Sequence, residues 1–279
     1  MKNNFENIVK MAGLNLKKLS ELSNIPYSTL RFLTTTSPDK WNEEQVNAIS
    51  KALEIDTDTL MDELNKPVLT PFIKWVGGKR QLLPELLKRV PNEYNDYYEP
   101  FIGGGALLLK LVPKKAIIND FNEELSNAWK IVRDNPQELS DNLTECVEKD
   151  SKEFYLDYRS ADRDGRIVDF SELERATRFI YMNKAGYNGL WRVNQKGQNN
   201  VPYGGHKTLN FNVDNIHQVG TYLSSNDITI SNGDYMDCIK NAKSGDFVYL
   251  DPPYIPVTPT SSFTSYTKNG FGLVQQKEL

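Results

Sequence analysis

Apolar positions along this 279-residue chain follow two periods, and the change between them divides it. In the first 66 residues they recur three or four apart. Leu16, Leu19 and Leu22 have helical spacing, and Asn24-Ile25-Pro26 interrupts them. Asn tolerates the left-handed turn conformation and Pro suits a helix start, so a second short helix is predicted from about Tyr27 to Leu33. Val46, Ile49 and Leu53 mark another amphipathic helix, and Asp56 or Thr57 can cap one more running through Leu60. After Asn65-Lys66-Pro67 the pattern changes. Short apolar runs near Tyr97, Ile117, Ile228 and Val248 are rich in β-branched and aromatic residues and read as buried strands. Residues from about 135 to 178 read as helical. The prediction is α/β: a Rossmann-like, doubly wound sheet with a helical insert at about 135–213, preceded by an all-α domain. Pro67 and Pro71 bracket the linker, giving domains 1–66 and 67–279.

The strand ends carry the chemistry. Val248-Tyr249-Leu250 runs into Asp251-Pro252-Pro253-Tyr254, where the prolines stop the strand and stiffen the turn. A carboxylate and a ring are thereby held at the carboxyl end of a strand, where open α/β sheets place their ligands. Asp251 and the turn carbonyls can accept hydrogen bonds from an amine, and Tyr254 can stack on a planar ring. A turn of this composition is also an ordinary strand ending. Glu99-Pro100-Phe101-Ile102-Gly103-Gly104-Gly105 leads from one strand into the apolar run Leu107-Leu108-Leu109, the strand–loop–helix order of a nucleotide-binding unit. Asp120 ends the next strand, placed to bind ribose hydroxyls. The loop lacks the Gly-x-Gly-x-x-Gly order and has no Walker lysine, so a nucleoside cofactor without a pyrophosphate fits better. Upstream, Lys74-Trp75-Val76-Gly77-Gly78-Lys79 adds paired glycines and a ring beside them. Asp234 precedes the Asp251 strand as an adenine contact or a plain turn residue.

Bulk properties narrow the classes. A hydrophobic fraction of 39% with 25% charged residues is that of a globular protein, and no apolar run is long enough to span a membrane. The N-terminus lacks a signal-peptide core. Two cysteines and two histidines argue against a disulfide scaffold and a zinc site, and for a cytoplasmic location. No metal is expected. The net charge of −4 does not advertise a polyanion partner, so charge distribution decides. Residues 1–66 hold 8 Lys/Arg against 10 Asp/Glu. From Ala176 to Val213 there is no Asp or Glu, while Arg178, Lys184, Arg192, Lys196 and Lys207 remain. A surface that sheds carboxylates and keeps cations suits a phosphate backbone. Arg can grip guanine, Asn or Gln can read adenine, and Tyr187 and Trp191 can stack on or wedge between bases.

These motifs, in this order, resemble the Dam-type DNA adenine-N6 methyltransferases. The resemblance runs from Thr70 to the end and takes in Asn183–Asn194, Asn200-Val201-Pro202-Tyr203-Gly204 and Phe263-Thr264-Ser265-Tyr266. It implies S-adenosyl-L-methionine as methyl donor and adenine in double-stranded DNA, within GATC, as target. Asp251, Pro252, Pro253 and Tyr254 would be catalytic. Trp75, Lys79, Phe101, Gly103, Gly105, Asp120 and Asp234 would bind the cofactor. Arg192 would read guanine, Asn188, Leu190 and Pro202 would contact other bases, and Tyr187 would fill the space left by a flipped adenine. Asn199 stands where the family usually has Phe, which is expected to loosen the recognition loop. The sequence stops at Lys277-Glu278-Leu279 where the family continues with further strands, so weak cofactor binding and weak methylation are expected unless a partner chain completes the sheet. Separately, Leu16–Arg31 resembles the repressor-type helix-turn-helix, which would present Tyr27, Ser28, Thr29 and Arg31 to a second DNA site. A restriction enzyme is a possible partner. The rival readings are a DNA-binding regulator with an inactive methyltransferase body, and a methyltransferase of RNA or protein glutamine.

Overall fold

The computed structural model describes residues 3–253. Tyr254, the Phe263–Tyr266 motif and the expectation about the chain's end lie outside the described residues. The chain divides into two compact units. One runs through Leu69 and takes in Arg80–Val90; the other comprises Thr70–Lys79 and the residues from Pro91 onward.

In the first unit, α1 (Phe5–Met11), α2 (Leu16–Ser23), α3 (Tyr27–Leu33), α4 (Glu43–Leu53) and α5 (Thr57–Asn65) close around Phe5, Leu19, Leu30, Ile49 and Leu60. A short α6 (Leu83–Leu87) belongs to the same unit. The boundaries follow local chemistry. Asn15 caps α2 by accepting the Lys18 N–H at 2.9 Å, and Asn24, at φ 57°, ends it in the left-handed region. Asn42 and Gln45 form a reciprocal capping box on α4, and Asp56 caps α5. Of the α2 leucines, Leu19 is buried but Leu22 is 52% exposed. Each three-residue step turns about 300° around a helix, so two steps carry Leu22 about 120° from Leu16 and out of the stripe.

In the second unit, β1 (Tyr97–Glu99), β2 (Lys115–Asp120), β3 (Asp227–Asn232) and β4 (Phe247–Val248) form a parallel sheet in the order β3-β2-β1-β4. All four predicted strands are present, but only β1 is buried throughout; β3 is exposed at half of its positions and β4 is half-buried. Parallel pairing puts Glu99, Asp120, Asn232 and the residues after Val248 at one edge. After β1 comes the short α7 (Leu108–Leu111), and after β2 come α8 (Glu123–Asp134), α9 (Pro136–Glu148), α10 (Lys152–Asp164), α11 (Glu172–Ala185) and α12 (Val213–Ser225). The short α13 (Tyr235–Ile239) links β3 to β4. α11 and α12 both pack on α8, and Trp129, Tyr155, Phe179 and Tyr181 are wholly buried. Two buried amides pin the strand-less entry segment 70–74: Asn215 on α12 holds both main-chain groups of Thr70, and Asn183 on α11 holds those of Lys74.

Two sequence expectations need correction. Trp191 is 5% exposed, with its ring 4.4 Å from that of Phe179, so it belongs to the core and does not wedge between bases. Arg178 is 3% exposed and donates to the carbonyls of Tyr158 and Arg159 and to Asp162. Its charge serves the interior and not a phosphate backbone. The helix over 172–185 runs across the first edge of the acid-free stretch, and composition alone does not separate that helical part from the surface loop that follows.

Candidate active site

The loop after β1 is held as a rigid cradle. Gly103 and Gly105 have φ of 48° and 66°, the region glycine enters without a Cβ penalty. A Cβ on Gly103 would sit 2.7 Å from the Trp75 ring, and one on Gly105 would sit 2.5 Å from Trp129. The Trp129 indole N–H donates to the Gly103 carbonyl at 3.1 Å. Asp120 closes the loop from β2: one carboxylate oxygen accepts the Gly103 N–H at 3.1 Å and the other accepts the Asn122 N–H at 2.9 Å. Burial nevertheless pushes the Asp120 carboxyl up to about 6, against these backbone hydrogen bonds. Phe101 stacks on Tyr235, with ring centroids 5.4 Å apart. Asp234 is exposed at the end of β3, where it caps α13 through the Met236 N–H. Thus Trp75 and Asp120 both meet the loop that holds Phe101, Gly103 and Gly105, and Asp234 stands beside it through Tyr235.

Lys79 is placed differently from the rest of that set. Its ammonium lies 2.6 Å from the Asp251 carboxylate and also donates to the Gly77 carbonyl at 2.7 Å. Both side chains of the pair are largely buried, at 12% and 19% exposure. Asp251, Pro252 and Pro253 follow β4 and are half-buried. A charge pair this enclosed is strongly coupled, because little water screens it.

Glu99, missed as a site residue on sequence, is the most perturbed carboxyl at this edge. It is buried at the end of β1, accepts the Tyr97 hydroxyl at 2.7 Å and the Leu108 N–H, and feels the charge of Asp251. Burial raises it to about 8. Its sequence signal was its place immediately before the glycine loop. Asn119 was missed too; its amide donates to the carbonyls of Pro100 and Gly233 and so ties the exits of β1 and β3 together.

The expected base-contacting residues lie in the segment that follows α11. Tyr187, Asn188, Arg192 and Pro202 are exposed and Leu190 is half-buried. The segment 186–204 folds back on itself: Gly186 bridges Tyr203, Val193 bridges Asn199, and the Tyr187 N–H donates to the Pro202 carbonyl at 2.9 Å. Arg192 is pre-oriented, its Nε donating to the Asn200 side-chain oxygen at 2.7 Å. The hairpin hangs from α10. Asp162 accepts the Asn199 N–H at 2.7 Å, Arg159 and Tyr155 donate to the Val201 carbonyl, and Arg163 to that of Asn199. Asn199 is 1% exposed and accepts the Val201 N–H at 3.0 Å, so the loop is rooted there by hydrogen bonds instead of by a ring. Its buried Nδ2 has no partner among the described residues. Among the described residues no group of His, Cys, Asp and Glu forms a metal site, and no helix is long and apolar enough to cross a membrane.

A parallel α/β sheet with a glycine cradle and an acidic strand-end turn at one edge, and an acid-free segment at 176–213, is consistent with a methyltransferase fold. Residues 75–279 match the family model of the D12 class N6 adenine-specific DNA methyltransferases, and the chain belongs to that family. It is 53% identical over 217 residues to the Type II methyltransferase M1.LlaDCHI of Lactococcus lactis subsp. cremoris, covering 77% of this chain and 76% of that one. It is 40% identical over 218 residues to the Type II methyltransferase M.MjaIII of Methanocaldococcus jannaschii, covering 72% and 74%. It is 34% identical over 209 residues to the DNA adenine methylase of Haemophilus influenzae, covering 75% and 72%. The protein is an adenine-specific DNA methyltransferase.

Proposed function

We propose that the enzyme uses S-adenosyl-L-methionine to methylate N6 of adenine within GATC in duplex DNA, after turning the base out of the helix. The donor set suits that cofactor. Asp120 offers a carboxylate to ribose hydroxyls, Phe101 and Trp75 offer rings, and the 101–105 loop offers backbone without a lysine cradle for a pyrophosphate. When bound, the cofactor supplies a methyl group already activated on a sulfonium sulfur. The protein's task is then to place an amine in line with it. An adenine inside a duplex is out of reach, so it must be extruded. Asp251 and the Pro252 carbonyl accept the two N6 hydrogens, which draws the nitrogen towards tetrahedral geometry and frees its lone pair. The nitrogen takes the methyl as the methyl–sulfur bond breaks, leaving a neutral thioether, and one N6 proton is released to solvent. Tyr254 stacks on the ring. Arg192 reads guanine, Asn188, Leu190 and Pro202 contact neighbouring bases, and Tyr187 fills the vacated space. The observation that carries this reading is the Lys79–Asp251 pair, a cationic nitrogen already seated on the carboxylate where an amine would donate.

Incorporation of labelled methyl into GATC-containing and GATC-free duplexes, and into RNA, tests it. Equal labelling of all three overturns the target assignment. Domains 1–66 and 67–279, the first a helix-turn-helix at a second DNA site, complete the proposal. Exposed Tyr27, Ser28 and Arg31 on α3 support it. Footprinting of the full chain with and without Arg31→Ala tests it. The Type II names of two relatives support a cognate restriction enzyme as functional partner. Protection of methylated DNA from a GATC-cutting enzyme checks that.

A further inference from the structure

Asn183 lies near the end of α11 and has no exposed surface. Its side chain touches two segments, one 109 residues upstream and one six residues downstream. Nδ2 donates to the Lys74 carbonyl at 2.8 Å and to the Gly189 carbonyl at 3.0 Å, while Oδ1 accepts the Lys74 N–H at 3.0 Å. A primary amide has two donor hydrogens and an acceptor oxygen, and all are used here. Lys74 leads directly into Trp75, which packs on Gly103, and five residues later into Lys79, which meets Asp251. Gly189 closes the turn that presents Tyr187 and Asn188, the latter at φ 56°. The two segments also touch directly. A Cβ on Gly189, itself at φ 66°, would lie 2.3 Å from the Lys74 side chain.

We propose that Asn183 is a positioning residue that locks the DNA-facing turn to the segment bearing Trp75 and Lys79. Base recognition and methyl transfer are thereby held in register. The inference rests on the reading of residues 187–192 as the DNA face. The three hydrogen bonds of this buried amide, with the Gly189–Lys74 contact beside them, fix how the turn and the loop sit together. Losing it leaves both segments folded but no longer indexed to each other.

Asn183→Asp keeps the bond from the Lys74 N–H and replaces the two donated bonds with acceptors facing carbonyls. Expected are a kcat at least tenfold lower and a cognate-to-altered-duplex ratio of kcat/KM at least tenfold smaller. Dissociation constants for S-adenosylhomocysteine and for non-cognate duplex should stay within about threefold. Gly189→Ala perturbs the same junction from the other side without entering α11, and should reproduce the loss of discrimination even if the first variant folds poorly. Asn127→Ala is the control, removing another buried amide that donates to the Glu172 carbonyl at 2.8 Å. It should lower thermal stability and leave the discrimination ratio alone. If Asn183→Asp and Gly189→Ala match Asn127→Ala, with discrimination intact, the positioning role is refuted. Arg192→Ala run in parallel separates the failures: retained discrimination there overturns the DNA-face reading and this inference with it. Lost discrimination there with both junction variants normal overturns this inference alone.

Discussion

Replacing Asp251 by Asn tests catalysis, but the Lys79 pair means that it must also cost stability. The carboxylate stands 2.6 Å from an ammonium, with the two side chains 12% and 19% exposed. Removing one member of a fully buried pair costs about 3–5 kcal/mol, since the other charge keeps its desolvation penalty. Residual water at this pair discounts that to about 2–4 kcal/mol. For a unit of roughly 200 residues each kcal/mol shifts the midpoint by about 2–4 °C, so Asp251→Asn should melt about 4–16 °C below the native protein. Lys79→Met should fall comparably. The double variant removes both charges and should recover at least half the loss, giving a coupling of at least about 1.5 kcal/mol in a double-mutant cycle. Denaturant unfolding of all four proteins measures this, and single-turnover methylation well below the lowest midpoint keeps activity separate from folding. Both variants lacking Asp251 should be inactive there while still binding S-adenosylhomocysteine. A single variant melting within 1 °C of the native protein, or a double variant no more stable than the singles, would refute the buried-pair reasoning. Near-normal turnover by Asp251→Asn would remove it from catalysis.

Other outcomes follow from the same geometry. Glu99 is held protonated up to about 8 against an ordinary 4.5, so the folded state binds the extra proton between those values. The Glu99 contribution to stability is then fully present below about 4.5 and is lost with rising pH by about 1.4 kcal/mol per unit, a total loss of roughly 3–6 kcal/mol by pH 8. Glu99→Gln should lack this slope, and parallel pH profiles of unfolding free energy would count against it. Asp120 titrates at about 6 in the folded protein, and hydroxyl groups bind its ionised form. S-adenosylhomocysteine affinity should be flat above pH 7 and drop about tenfold per unit well below 6. Asp120→Asn should be weak and pH-independent by calorimetry. Arg192→Ala should lose about 1–3 kcal/mol of discrimination at one guanine, whereas Lys196→Ala should weaken all duplexes alike and flatten the salt dependence. Identical sequence-independent losses would end the case for direct readout.

Sequence alone determined most of the elements and the order of the chemistry. β-Branched and aromatic runs made the four strands legible, because such side chains suit a pleated, at least half-buried surface. Asp56 gave a local signal for one helix start, since it satisfies a backbone donor within its own turn. Gly103, Asp120 and Asp251 were readable as strand-end residues, and one parallel sheet brings such ends to one edge. Tertiary structure alone decided what depends on neighbours distant in sequence. Lys79 pairs with Asp251 across 172 positions, so nothing in its own motif distinguishes a cofactor ligand from a partner of the acidic turn. Trp191 and Arg178 carry the composition of a nucleic-acid surface, yet packing against Phe179 and pairing with Asp162 put them inside. The protonated state of Glu99 and the double grip of Asn183 likewise exist only after folding. Burial and a fixed hydrogen-bonding geometry are properties of the assembled core, and local sequence carries no record of them.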